Sequence, residues 1–434
     1  MDNDHDVWTR QHNASLKFCK TGPARPVFPS SKISVALLGL YLAQAVPLYL
    51  VAAALPPILR ANGVGLDMIG GLGILLAPWV LKVLWAPWVD RYCHDPKVGR
   101  KAIIVGCLLV TLGGILALSM FDPVKDAAIF FPILMAMSLS SATQDIASDG
   151  WAVEHLPPDD QPGGNALQGG AVALGVVIGG SGTLVLYDLL GWSQTLWVMA
   201  ALTCFLVLPF LRLPEGTGQR TLPADRGRPG LLRFLSVEGA WAMLAFALII
   251  RLPEGLVKAL EQPFLVDQGF TLAEVGAISG GSAAAVGLFG AFVAAWLIRL
   301  WGLLPFLILL ICGRTLAFGA FYVAATMGIT QWMLILLSVF DTFLRYIEIV
   351  GLFTAFMRFA SLRQAATDFT LLTSATLLMY MIGGIVAGQL AETMGYGPVF
   401  LSAALLSGIA GWIALLLLPA RVRTIPLTTA TETS

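Results

Sequence analysis

Long apolar runs separated by short polar stretches recur along almost the whole 434-residue chain. A helix needs about 20 apolar residues to cross the hydrocarbon layer of a bilayer, and these runs reach that length. Twelve such helices are predicted, over 33–55, 67–88, 102–120, 127–153, 165–189, 193–211, 239–266, 272–300, 303–325, 331–356, 365–392 and 398–418. The pattern therefore predicts an all-α polytopic membrane protein of 12 transmembrane helices. It comprises an N-terminal tail (1–32), a six-helix half (33–211), a linker (212–238), a second six-helix half (239–418) and a C-terminal tail (419–434).

The basic residues orient these spans. One set of loops carries Arg91, Lys97, Arg100, Lys101, Arg212, Arg220, Arg226, Arg228, Arg233, Arg299, Arg358 and Arg363, and the tails add more. The opposite loops hold little beyond Arg60 and Lys125. Positive loops stay inside, so both termini are expected to be cytoplasmic. The N-terminal tail is polar, with Pro23, Pro26 and Pro29, and lacks the short apolar core of a signal peptide.

Composition narrows the class. Charged residues make up 12% of the chain, against about 25% in soluble domains, which excludes a soluble enzyme. A net charge of zero gives no electrostatic case for nucleic acid. The cysteines (Cys19, Cys93, Cys107, Cys204, Cys312) are scattered without a Cys-x-x-Cys pair, so no metal site, disulfide framework or cofactor is expected. The histidines fall in the tail or in loops, so any proton coupling is expected to fall to carboxylates.

The two halves repeat one another. Ile178-Gly179-Gly180 precedes Asp188 and Gly191-Trp192 with the spacing at which Ile382-Gly383-Gly384 precedes Glu392 and Gly395-Tyr396. Trp88-Val89-Asp90-Arg91 closes the second span and Trp296-Leu297-Ile298-Arg299 the eighth; Gly70-Gly71 and Gly280-Gly281 mark their other ends. Pseudo-symmetric halves of this kind build transporters whose site lies near mid-membrane between them.

Ionisable residues inside the spans are the candidate site, because a charge at membrane depth costs at least a few kcal/mol and normally faces a cavity or a partner. In the fourth span Asp145 and Asp149 lie one turn apart on one face. Asp149 either faces a cavity or sits solvated at the cytoplasmic lip. In the seventh span Arg251, Glu254, Lys258 and Glu261 share a face, either as a charged cavity stripe or as a self-paired ladder, and Pro253 and Pro263 can bend the helix. In the tenth span Asp341, Arg345 and Glu348 share a face. Aligning Ser138 with Ser338 sets Asp145 opposite Arg345, a pair that can meet across the halves; the alternative is an Asp341–Arg345 pair within the tenth helix. Arg314 is an isolated cation that needs a carboxylate, Lys82 can reach the cytoplasm past Trp85, and Asp368 reads as a helix-start carboxylate. Arg251, Glu254, Lys258, Arg314, Asp341 and Arg345 are the expected substrate-binding residues, and Asp145, Glu254 and Glu348 the expected proton-coupling residues.

The loop Asp90-Arg91-Tyr92-Cys93-His94-Asp95-Pro96-Lys97-Val98-Gly99-Arg100-Lys101 resembles the Asp-Arg…Gly-Arg-Lys signature of the major facilitator superfamily, though it is longer than usual. The stretches 79–90 and Thr143-Gln144-Asp145-Ile146-Ala147-Ser148-Asp149-Gly150-Trp151 resemble the branch that holds muropeptide permeases, acetyl-CoA transporters and siderophore permeases. A chain of twelve spans is most similar to the siderophore permeases. That resemblance implies a monomeric, alternating-access transporter of the bacterial inner membrane that imports a ferric siderophore with protons and binds no metal directly. Import of muropeptides is the runner-up, and efflux of drugs or metabolites a third reading. It also implies gating roles for Asp90, Arg91, Arg100, Asp149 and Pro253.

Overall fold

The computed structural model describes residues 27–62, 72–93, 99–123, 125–214 and 227–423. The predicted start of the second span, Gly70-Gly71, residues 94–98 of the signature loop, 215–226 of the linker and most of both tails lie outside the described residues.

The described chain is helical: α1 Ser31–Tyr49, α2 Leu55–Ala61, α3 Ala77–Leu81, α4 Ala86–Cys93, α5 Gly99–Leu118, α6 Ala127–His155, α7 Gln161–Gly175, α8 Thr183–Leu190, α9 Trp192–Arg212, α10 Leu231–Leu235, α11 Ala240–Asp267, α12 Leu272–Gly276, α13 Ser282–Trp301, α14 Leu303–Met327, α15 Gln331–Phe359, α16 Ala365–Met394, α17 Tyr396–Leu417 and α18 Ala420–Arg423. Wider π turns join α1 to α2, α7 to α8 and α12 to α13. Ten helical stretches are long and apolar enough to cross a membrane among the described residues. Two of the twelve predicted spans fall outside that set. The tenth, α15, is long enough at 29 residues but carries Asp341, Arg345 and Glu348. The second is broken into 3₁₀ turns (Leu72–Leu76, Lys82–Leu84) around α3 and α4. Pro78 and Pro87 each stand second in α3 and α4, in the first turn, where a missing backbone donor costs no helical hydrogen bond and a new helix readily starts.

The two copies of the Gly-Gly motif end alike. Gly191 between α8 and α9 has φ 79°, and Gly395 between α16 and α17 has φ 78°. A single residue in the left-handed region reverses the chain between adjacent helices, and glycine takes it without a Cβ clash. The seventh span runs unbroken through Pro253 and Pro263 as α11. It crosses α16 closely: a Cβ on Gly383 would lie 2.8 Å from the Leu252 carbonyl oxygen and 3.0 Å from Gly255 Cα. Backbone contact of this kind is how small residues join membrane helices.

Helices before residue 212 meet those after 239 at the end of the bundle that bears Arg100. There α7 packs along α13, and α16 crosses α4 and α6. Asn165 donates to Thr354 Oγ1 at 3.2 Å, and the Phe28 and Phe292 rings lie 6.0 Å apart.

Candidate functional site

At the Arg100 end, the side chains of the signature loop form one buried cluster. Arg100 grips Glu154 with two hydrogen bonds of 2.9 Å (Nε and Nη2) and donates to Asp90 Oδ1 at 2.6 Å. Asp90, fully buried, also accepts from the Thr367 backbone N–H at 2.7 Å and hydroxyl at 2.8 Å. Those donors belong to the first turn of α16, where free N–H groups and the helix dipole favour an anion. The bridge spans 277 residues of sequence and ties α4 to α16. Of the expected gating residues, Asp90 and Arg100 thus meet, with Glu154 as a partner that the motif did not name. Arg91 is exposed.

Deeper in, a cavity of about 270 Å³ separates the two sets of helices. One wall carries Trp79, Lys82, Asp145, Asp149 and Gln168; the other carries Arg251, Arg345, Thr373, Thr376 and Tyr380. The first wall decides among readings that the sequence left open. Lys82 does not reach outward past Trp85: it is buried and ion-paired with Asp145, because the 3₁₀ turn at Lys82–Leu84 sets it facing α6. Asp145 therefore does not pair with Arg345; its other oxygen accepts from Gln44 at 2.7 Å. Asp149 is not solvated at a lip but 2% exposed, accepting from Tyr41 at 3.2 Å and Gln168 at 3.1 Å.

On the second wall, Arg251 and Arg345 flank one ring, with guanidinium carbons 5.3 and 5.9 Å from the Tyr380 centroid. At these distances the ring attracts both cations and helps to hold them at the cavity. Glu254 lies behind both, ion-paired with Arg251 and 3.6 Å from Arg345 Nε. Arg345 therefore reaches towards α11 rather than back to Asp341 on its own helix.

Besides Glu254, four of the expected substrate-binding and proton-coupling residues stand away from the cavity lining. Lys258 pairs with Glu261 and approaches Asp341 at 3.7 Å, a second α11–α15 cluster. Arg314 finds its carboxylate in Glu348 at 2.8 Å and donates to Ser407 at 3.0 Å; Glu348 also lies 3.4 Å from Arg251. The charges thus form a chain from α14 through α15 to α11, ending at the cavity. Tyr41, Gln44, Gln168 and Tyr380 carry much of the site and were missed. A polar side chain within an apolar span was the available signal, at Gln44 and Gln168 above all.

With this geometry in place, likeness to known proteins can be stated. A family model described as Major Facilitator Superfamily matches residues 37–370. The anhydromuropeptide permease of Escherichia coli K12 is 27% identical over 386 residues, 85% of this chain and 76% of that protein. A Rickettsia conorii protein described as putative transporter AmpG 4 is 22% identical over 369 residues, 82% of this chain and 89% of its own. Among solved structures, the human organic anion transporter MFSD10 superposes with a TM-score of 0.67 at 19% identity, over 90% of this chain and all of that one, a likeness of fold.

Proposed function

Since the chain belongs to the Major Facilitator Superfamily of membrane transporters, we propose that it imports a peptide-bearing cell-wall fragment of the anhydromuropeptide type. The supporting observation is the alignment to a permease of that name along 85% of the chain. The ferric siderophore was the first expectation from sequence, and the likeness to that permease favours the muropeptide alternative instead. The proposed setting is a bacterial inner membrane with both termini cytoplasmic. Labelling of Lys125→Cys, whose native side chain is 82% exposed, by an impermeant thiol reagent from outside checks that orientation; labelling from the cytoplasmic side alone would reverse it.

The cavity chemistry suits such a solute. Its peptide brings carboxylates, for which Arg251 and Arg345 offer forked donors in a low-dielectric space. The same cations already face Glu254. A ligand carboxylate and Glu254 therefore compete for them, and a proton on Glu254 would release both guanidiniums. This couples proton entry to binding of an anion and singles out Glu254 among the three expected proton carriers, since Glu254 alone faces both arginines of the lining, whereas Asp145 is held by Lys82 and Glu348 is paired with Arg314.

The test is uptake of a radiolabelled anhydromuramyl tripeptide into cells lacking this protein and into cells expressing it. Expression should restore accumulation, and a protonophore should abolish it. Glu254→Gln should keep exchange of label across the membrane while losing accumulation against a gradient. Absence of uptake on expression removes the muropeptide reading; normal accumulation by Glu254→Gln removes the coupling role.

A further inference from the structure

At the Arg100 end of the bundle α1 begins where α9 ends, and the two pack side by side. Both belong to stretches long and apolar enough to cross a membrane. A cavity of about 530 Å³ opens between their ends, lined by Ser31, Lys32 and Val35 of α1 and by Pro209 and Arg212 of α9. It shares no residue with the central cavity. Lys32 and Arg212 are exposed, and neither has an ion-pair partner among the described residues. Neither α1 nor α9 holds an Asp or Glu anywhere along its length. The last carbonyls of α9 would repel an anion, but Lys101 Nζ donates to those of Leu211 and Leu213 at 2.6 and 3.1 Å. The cavity therefore carries a positive field that no neighbouring group on these two helices cancels.

Beneath the cavity the surface turns apolar. One turn deeper α1 and α9 touch, and a Cβ on Gly39 would lie 2.3 Å from the Leu206 carbonyl oxygen. The side chains that face outward beside this contact are Val35, 55% exposed, and Phe205, 68% exposed. Phe205 stands one turn below Pro209 on the same face of α9. Unpaired cations at the end of two membrane helices, above exposed apolar side chains, match a molecule with an anionic head and an apolar tail.

We propose that this cavity binds the headgroup of an anionic phospholipid, with Lys32 and Arg212 on the phosphate and the acyl chains along Val35 and Phe205. A lysine ammonium and an arginine fork both suit phosphate oxygens. The apolar surface beneath favours a lipid over a free phosphate. A choline headgroup carries its own cation to Lys32 and Arg212 and is held less well. The inference needs only that the chain spans a membrane, and it stands whatever solute the central cavity carries.

Native mass spectrometry of the purified, delipidated protein in detergent tests it. The probes are phosphatidylglycerol, phosphatidylcholine with the same acyl chains, and glycerol phosphate, which is the headgroup without chains. The first phosphatidylglycerol should bind at least about tenfold more tightly than phosphatidylcholine, and glycerol phosphate should not displace it. Lys32→Gln and Arg212→Gln should each weaken that first lipid about fivefold, and together about 25-fold. The control pair Arg228→Gln and Arg363→Gln removes the same charge from two other exposed arginines and should change binding less than about twofold. The three probes carry the test on the unmutated protein even if a variant does not fold.

Equal binding of the two lipids overturns the site. So does a Lys32/Arg212 double variant that binds phosphatidylglycerol as the wild type does. A control pair that weakens binding as much as the Lys32/Arg212 pair shows diffuse attraction to a positive face, and overturns it too. Glycerol phosphate that binds as tightly as the lipid and displaces it makes the ligand a soluble anion and removes the lipid.

Discussion

Ion pairing decides which residues can meet a solute. Lys82 and Asp145 are buried and satisfy one another, so removing either leaves a charge in a low-dielectric site. Breaking a buried pair on one side costs about 3–5 kcal/mol, whereas replacing both partners by neutral residues is often near neutral. Lys82→Met or Asp145→Asn alone should therefore lower the melting temperature in detergent sharply, and the double variant should recover most of the loss. Equal loss in singles and double would mean that the pair contributes packing rather than charge compensation. The sequence marked the ionisable residues within the spans, because charges stand out against apolar runs. It did not reveal their partners. Which carboxylate Lys82 meets depends on a 3₁₀ turn and on the rotation of α6, and neither follows from periodicity. Arg314 shows the same limit: its need for a carboxylate was legible, but its use of Glu348, 34 residues away on the next helix, was not.

Helix crossings depend on where side chains are absent. Gly150, one residue after Asp149, lies where a Cβ would come 2.7 Å from Ala366 Cβ and would also press on Arg100. It therefore lets α6 approach α16 at the place where Asp90 bridges to Thr367. A larger residue there wedges the contact open and misplaces Arg100. Gly150→Leu should thus weaken closure at the Arg100 end, seen as faster thiol labelling of a cysteine placed at Thr367 than in the Gly150 background. Unchanged labelling would show that the crossing tolerates the bulk. Most elements were legible as apolar runs of spanning length, and the matched Gly191-Trp192 and Gly395-Tyr396 turns emerged with the same backbone. The second span was not legible as a broken element. Pro78 and Pro87 were visible, but a proline inside a membrane helix is often tolerated as a bend, and only packing decides whether the helix breaks. Pro253 and Pro263 illustrate the converse, since α11 continues through both.

The whole molecule is joined across its two sets of helices at one end and parted by a cavity at mid-depth. Alternating access requires the joined end to open while the other closes. The two sets, which we propose are residues 33–211 and 239–418, are held there by the Asp90 bridge and by the α7–α13 and α7–α15 contacts. Each of these contacts must break if the cavity is to empty towards that end. Asn165 on α7 and Thr354 on α15 can report this, with side-chain atoms 3.2 Å apart and both residues fully buried. A cysteine at each position, in a chain without its native cysteines, should join by oxidation or a short thiol crosslinker. Joining should stop net uptake, and reduction should restore it. Binding measured on the purified protein should survive, because the cavity walls are left untouched. Crosslinked protein that still transports would mean that this end does not open during the cycle, and the solute would then have to leave by another route.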